Sequence, residues 1–300
     1  MKNHGINIRK YLMRLSLFLL LGALSACDHP RIFAPQQQAD FNPAGNEAAG
    51  QPMIHLNLSG GIAGVNQQLL IFENGFVQFF ENYPTGGYLK DFLTAEALAE
   101  LKSAFIENDF LHLQSRYATP EAADMFHYEI TFRQNDQAQT VIADYAAAPQ
   151  NLKKIIDLLN QTISTLRQNS PRLELILGQD TLKAGEQVTL KLRVSNPLDQ
   201  ALKLTFPSGK LFDFFALPAA EKAVGTVSPE ARVWDWADDK AFTQSIVHKT
   251  LAAGAVVEYE VQWDGRSRDG VLLSGEFWIV AELESNPGGV APWQKIFIQK

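Results

Sequence analysis

A single cysteine, Cys27, is all that the 300 residues contain, so no disulfide can form and the fold must be held by packing alone. Histidine is also scarce: there are six, at positions 4, 29, 55, 112, 127 and 248. No two of them stand four apart as a zinc-binding helix requires. The chain has no G-x-S-x-G elbow, and its lone thiol is placed elsewhere by the argument below, so a hydrolase would have no nucleophile. Asp235, Asp238 and Asp239 lack the ligand spacing and the glycine of a calcium loop and read as a solvated run of charges. These absences predict a protein that is not an enzyme and needs neither cofactor nor metal. Positive charge is in short supply too, with 26 Lys and Arg against 33 Asp and Glu, a formal balance of −7. A surface of that sign is a poor match for nucleic acid.

No long apolar run answers for a membrane span. The uncharged stretch at residues 15–26 is twelve residues long, whereas a helix needs about 20 to cross a hydrocarbon core of about 30 Å. It follows Lys2, Arg9, Lys10 and Arg14 and ends in Leu24-Ser25-Ala26-Cys27, the three-part layout of an export signal. That ending resembles the lipobox of bacterial lipoproteins. The resemblance implies that residues 1–26 are a signal peptide and that Cys27 is acylated, by palmitate among other chains. The protein would then be held at the cell membrane or outer membrane, facing outside the cytoplasm. Asp28 is similar to an inner-membrane retention signal of enteric bacteria. Removal of residues 1–26 takes four positive charges away, so the formal balance falls from −7 to −11. The lipid, not a basic surface, would supply membrane affinity, at about 0.8 kcal/mol per buried methylene. Residues 27–51 show neither a helical nor a strand period and read as a flexible tether. A random coil of that length spans about 25 to 30 Å.

What is present is a globular composition, 46% apolar and 10% aromatic. Ile54, Leu56 and Leu58 alternate with polar residues as a half-buried strand does. The runs at 68–72 and 76–80 are joined across Asn74-Gly75, a strong hairpin signal. Thr94 is placed to cap a helix carrying Leu98, Leu101 and Phe105 on one face. Tyr128, Ile130 and Phe132 resume the alternation. After Pro149, the residues Leu152, Ile155, Ile156, Leu159, Ile163 and Leu166 keep the spacing of an amphipathic helix. Residues 52–168 therefore read as an α+β domain, an antiparallel sheet with two helices on one face. Polar residues and Pro171 mark its end. From residue 172 to 300 the character changes to short β-type runs, at 173–177, 188–194, 201–206, 232–236, 256–263, 276–283 and 293–298. Gly, Asn, Asp and Pro separate them. About seven such runs without a long helix predict an immunoglobulin-like sandwich.

Gly60, Gly61 and Gly64 lack the Lys and Ser/Thr of a phosphate loop and run into another strand, so by themselves they read as a tight turn needing positive φ. Together with the Thr94 helix, the strand at 126–132 and the last amphipathic helix, they resemble emfourin, an inhibitor of thermolysin-like metallopeptidases. The resemblance spans residues 53–166, and the loop at 83–88 looks like an addition to it.

The second half carries more motifs in order. These are Asn196, then Phe206-Pro207-Ser208-Gly209, Phe212-Asp213-Phe214, Val233-Trp234-Asp235-Trp236, Lys240-Ala241-Phe242-Thr243-Gln244, Leu251, Gly254 and Trp263. They resemble the BsuPI family, called intracellular proteinase inhibitors, whose founding type acts on a subtilisin-like serine protease. The family positions Ser208, Gly209, Asp213, Trp234, Trp236 and Phe242 also have a plain packing reading. Trp234 and Trp236 share a strand face, Asp213 suits a bend where its carboxylate accepts backbone N–H groups, and Ser208-Gly209 reads as a turn. One departure from the family is the long stretch 216–232 with Pro218, Gly225 and Pro229, which reads either as a stiff contact loop or as a neutral insertion. The two resemblances together imply a lipid-anchored inhibitor whose partners are secreted or envelope proteases. The alternative is a non-inhibitory structural or interaction module of the envelope.

Overall fold

The computed structural model describes residues 50–61, 64–82, 85–119, 125–183, 185–219 and 229–299. Cys27, the signal peptide and all but the end of the tether lie outside the described residues, as does Gly225. None of the described helices is long and apolar enough to cross a membrane.

The first half is built on β1 (Ile54–Gly60), flanked by β2 (Val65–Ile71) on one side and β6 (Phe126–Gln134) on the other. β3 (Phe76–Glu81) and β4 (Tyr88–Phe92) extend the sheet beyond β2, while β7 (Gln137–Asp144) and the short β5 (Arg116–Tyr117) extend it beyond β6. At the Asn74-Gly75 turn the Asn74 side chain accepts the Phe76 N–H at 3.0 Å. Alternation sends Ile54, Leu56, Leu69, Ile71, Val77, Phe79, Ile130 and Phe132 into one core. Against them lie α1 (Ala95–Glu107) and α2 (Gln150–Asn169). The Thr94 hydroxyl caps α1 by accepting the Ala97 N–H at 3.0 Å, which answers one of the four donors a helix start leaves open. α2 buries Leu152, Ile155, Ile156, Leu159, Ile163 and Leu166, every apolar position expected from its spacing.

The second half is a β-sandwich, as the runs of short strands predict. One layer is β15 (Val256–Trp263), β10 (Val188–Ser195) and β8 (Arg172–Leu177), in that order. The other is built on β16 (Gly275–Leu283), paired with β12 (Phe212–Pro218) on one edge and with β18 (Gln294–Gln299) on the other. β9 (Thr181–Lys183) runs parallel to β18, β13 (Trp234–Asp235) edges β12, and β11 (Leu202–Phe206) pairs with β14 (Val247–Leu251). Val188, Leu190, Leu192 and Val194 of β10 face Phe214, Ala216, Ile279 and Ala281 across the core. The run at 232–236 shrinks to the two residues of β13, and β4, β5, β9, β12 and β14 appear where no strand was expected.

The two halves share one sheet. β17 (Gly288–Val290) pairs with β16 and also with β4, placing Gly289 opposite Leu89 and Val290 opposite Tyr88. The ladder thus runs without a break from the first half into the second, through thirteen strands among the described residues. A side chain at position 289 would collide with the Tyr88 carbonyl, 2.0 Å from an ideal Cβ, so glycine is what lets the strands meet. Beside this seam Phe215, Leu217, Val280 and Val290 form a small third cluster with Tyr88, Trp278 and Trp293.

Candidate functional site

The glycines of the first half sit where β1 turns into β2. Gly60, Gly61 and Gly64 all have positive φ, and the Gly64 N–H closes the turn on the Gly61 carbonyl at 2.9 Å. An ideal Cβ on Gly60 would lie 2.3 Å from the Met125 carbonyl. The geometry of the turn and its close neighbour are enough to require glycine at that position.

The motif residues of the second half divide into two groups. Ser208, Gly209, Trp236 and Phe242 come together where the 207–211 turn meets the segment after β13. The Ser208 hydroxyl accepts the Lys210 N–H at 3.1 Å, and the Gly209 N–H donates to the Thr243 carbonyl at 2.8 Å. A Cβ on Gly209 would stand 2.5 Å from the Thr243 hydroxyl oxygen, so the two loops touch only because the side chain is missing. Trp236 lies between Phe212, at 4.5 Å between ring centres, and Phe242, at 6.1 Å. Phe212 in turn stacks on Tyr259 of β15 at 4.6 Å. A row of four rings therefore leads from the sheet to Phe242. The Lys240 ammonium sits 4.6 Å over the Trp236 ring and donates to the Trp236 carbonyl at 2.6 Å, a cation–π contact on an exposed edge. Trp234 belongs deeper, stacked at 5.1 Å on the buried Trp263. Pro218 ends β12, and Pro229 opens a single 3-10 turn (Pro229–Ala231).

Asp213 and Asp235 differ from expectation. Asp213 lies within β12, not at a bend, and its carboxylate is 1% exposed. It accepts the Phe214 N–H but its main partner is the Lys210 ammonium at 2.7 Å. Asp235 is not a solvated charge: it is 7% exposed, with Arg232 at 2.7 Å and Arg268 at 3.5 Å. Both belong to a lattice of ion pairs on the face of β12 and β16 opposite the sandwich core. Lys90 of β4 meets Glu282 at 2.7 Å and Glu284 at 3.6 Å, and the Tyr88 hydroxyl donates to Glu282 at 3.0 Å. Glu284 passes the chain of contacts to Lys210 at 2.8 Å, Arg232 spans Asp213 and Asp235, and Arg268 spans Asp235 and Asp238 at 2.7 Å. The Arg232 guanidinium also lies 3.9 Å over the Phe215 ring.

Burial and pairing pull these groups in opposite directions. Burial pushes the Asp213 carboxyl up to about 7, since Lys210 is shared with Glu284 and the nearby Asp235 is also negative. Burial acts on Asp235 as well, but the bond from Arg232 and the Ala237 N–H outweigh it and hold its carboxyl below the usual range. Glu284 is likewise held low, by Lys90 and Lys210 against its burial. Burial would lower the Lys90 ammonium, yet Glu282 and Glu284 keep it above its ordinary value. Among the described residues no group of His, Cys, Asp and Glu is placed to hold a metal ion.

Sequence patterning singled out none of Tyr88, Lys90, Lys210, Arg232, Arg268, Glu282 and Glu284. One signal was available: Glu282 and Glu284 flank Leu283 at the end of a run that otherwise reads as buried strand, and paired charges in such a place call for partners.

Residues 175–288 match the model of the BsuPI family, described as intracellular proteinase inhibitor. The lattice, the aromatic row and the loops above all fall within that span or reach into it. Residues 66–163 match a domain of unknown function, DUF6438. No curated protein matches the chain. Among solved structures, an alkylpurine DNA glycosylase of Pseudomonas fluorescens bound to DNA is 13% identical over 50% of this chain and 36% of its own, with a TM-score of 0.28. A β-glucosidase of Erythrobacter marinus is 15% identical, over 43% and 16%, at 0.26. The sporulation control protein Spo0M of Bacillus subtilis is 15% identical, over 44% and 50%, at 0.27. The chain thus spans half or less of each, and likeness at this level bears on neither fold nor function.

Proposed function

We propose that this chain is a lipid-anchored proteinase inhibitor whose second half blocks a subtilisin-like serine protease outside the cytoplasm. The match of residues 175–288 to the inhibitor family carries the reading. The stiffness of the frame under the loops supports it. A standard inhibitor interface takes about 800 Å² from each partner, and a surface already fixed by a ring stack and ion pairs loses little freedom on binding. The resemblance of the first half to emfourin extends the proposal to thermolysin-like metallopeptidases. The lipobox at Cys27 supports the anchor.

Because the halves share a sheet, the test uses the whole mature chain. Titration against a subtilisin-like and a thermolysin-like protease is expected to give stoichiometric inhibition of the first, and of the second if the emfourin resemblance extends to activity. If neither protease is slowed at micromolar concentration, the envelope interaction module replaces the inhibitor. For the anchor, Cys27→Ser should abolish incorporation of labelled palmitate and release the protein from membranes; unchanged labelling would end the lipoprotein assignment.

A further inference from the structure

The stretch 216–232 with Pro218, Gly225 and Pro229 is the contact loop that the sequence offers, but the described structure holds a better-built contact. Between Lys240 and β14 lie six residues, 241–246, without helix, strand or hydrogen-bonded turn and with a bend at Ser245. Five are exposed, Ala241, Thr243, Gln244, Ser245 and Ile246; only Phe242 turns inward. The segment is fixed at both ends and twice between. Lys240 is tied to the Trp236 carbonyl, Phe242 rests on Trp236, the Thr243 carbonyl takes the Gly209 N–H, and Val247 enters the ladder opposite Phe206. Past Thr243 the support stops: among the described residues, Gln244 and Ser245 make no backbone hydrogen bond. Both residues are exposed, in a segment held at its two flanks.

From this arrangement we infer that residues 243–246 are the inhibitory contact, seated along the substrate cleft of a serine protease. A cleft that reads peptides binds an extended chain as an added strand, through main-chain hydrogen bonds, with pockets for side chains. Open backbone groups on Gln244 and Ser245 meet the first requirement. Ile246, 36% exposed, meets the second as the apolar side chain available to a pocket, since Phe242 is already held by Trp236. The clamps on either side explain how the segment stays in place, because the ordering cost of a free peptide is already met by the fold. They also give the aromatic row a purpose beyond packing: Tyr259, Phe212 and Trp236 carry the position of the sheet out to the contact.

This inference rests on the reading of the chain as an inhibitor, and the test separates the two. Inhibition constants against a subtilisin-like protease are measured for the whole mature chain, for Ile246→Asp, and for a variant with residues 219–228 shortened. The expected result is a rise of about thirtyfold or more for Ile246→Asp, the size of an interface hot spot, at an unchanged unfolding temperature. The shortened loop should stay within about threefold of the parent, on the rule that surface segments outside a contact are near-neutral. As a check independent of any variant's folding, amide hydrogen exchange at residues 243–246 should slow in the complex with a protease whose nucleophile has been replaced. A parent chain that inhibits while Ile246→Asp inhibits equally, or exchange at 243–246 that is unaltered in the complex, overturns the contact and leaves the inhibitor standing. A parent chain that inhibits nothing removes both.

Discussion

The first half forms its ion pairs at exposed edges, whereas the second half buries a network of them. Glu73 and Lys102, or Arg167 and Glu81, pair across exposed edges of the α+β region, and its one strongly buried carboxylate among the described residues, Asp144, is answered by the Thr119 hydroxyl and the Ala147 N–H instead of a cation. In the sandwich, Asp213, Asp235, Glu282 and Glu284 are shielded on one sheet face and answered by Lys210, Arg232 and Arg268. A fourth cation, Lys90, comes from the other half of the chain. An apolar core can be completed within one half. A lattice of buried charges cannot lose a member without leaving a partner uncompensated, so the second half depends on the first for its charge balance as well as for its sheet.

The largest break in this contrast is expected from Lys90→Ala. It leaves Glu282 without its ammonium and Glu284 with Lys210 alone, and should cost about 3 to 5 kcal/mol, the usual penalty for orphaning a buried charge. Calorimetry of the parent should show one unfolding transition, and of the variant an early transition for the sandwich ahead of the α+β region. A single unshifted transition would mean that the lattice contributes little. Next comes Leu159→Ala on α2, a fully buried position in the first core. Loss of packing there should cost about 2 to 5 kcal/mol, read by denaturant unfolding, and should lower the whole transition without splitting it.

A smaller effect separates the two buried aspartates by pH. With its folded carboxyl at about 7 and an ordinary value of 3.8, Asp213 binds more protons folded than unfolded between those limits. Its contribution to stability therefore decreases as pH rises through that window. Asp235 and Glu284, held low, act with the opposite sign, and their stabilisation is lost only in stronger acid. Asp213→Asn should accordingly be more stabilising relative to the parent at pH 8 than at pH 5, by roughly 2 to 3 kcal/mol for the two pH units of that window that lie above pH 5. Equal effects at both values would show that Asp213 is ionised throughout. The smallest change is expected from Lys191→Met on the outer face of β10, whose partners Glu258 and Glu260 are exposed like itself. Water screens such surface pairs, so its denaturation midpoint should barely move.

Local chemistry in the sequence was enough to place much of the frame. Alternation at 54–58, 128–132 and 188–194 gave strands with the correct buried face, Asn74-Gly75 gave the hairpin, and Thr94 and the 152–166 spacing gave the helices. Each of those signals acts within a few residues, through side-chain period or a cap. The sandwich followed from the same alternation, and the ordered motifs at 206–263 pointed to the inhibitor family that residues 175–288 match. Glycines 60, 61 and 209 were legible as turn positions, although the reason Gly209 must be glycine, the approach of Thr243, lies 34 residues further along the chain.

Long-range pairing decided the rest. Nothing in Tyr88-Leu89-Lys90-Asp91-Phe92 marks a strand when read alone, since its polar centre and the preceding Gly86-Gly87 suit a loop; it becomes β4 because β3 and β17 offer their open edges. Asp213 and Asp235 look like ordinary polar residues until Lys210, Arg232 and Arg268 are brought around them. By itself the sequence determined which faces are apolar and where the backbone turns, because those preferences are settled between near neighbours. Only the tertiary structure determined which charges are buried and which strand closes the seam, because a charge has no fixed cost, and an edge no fixed partner, until distant segments meet.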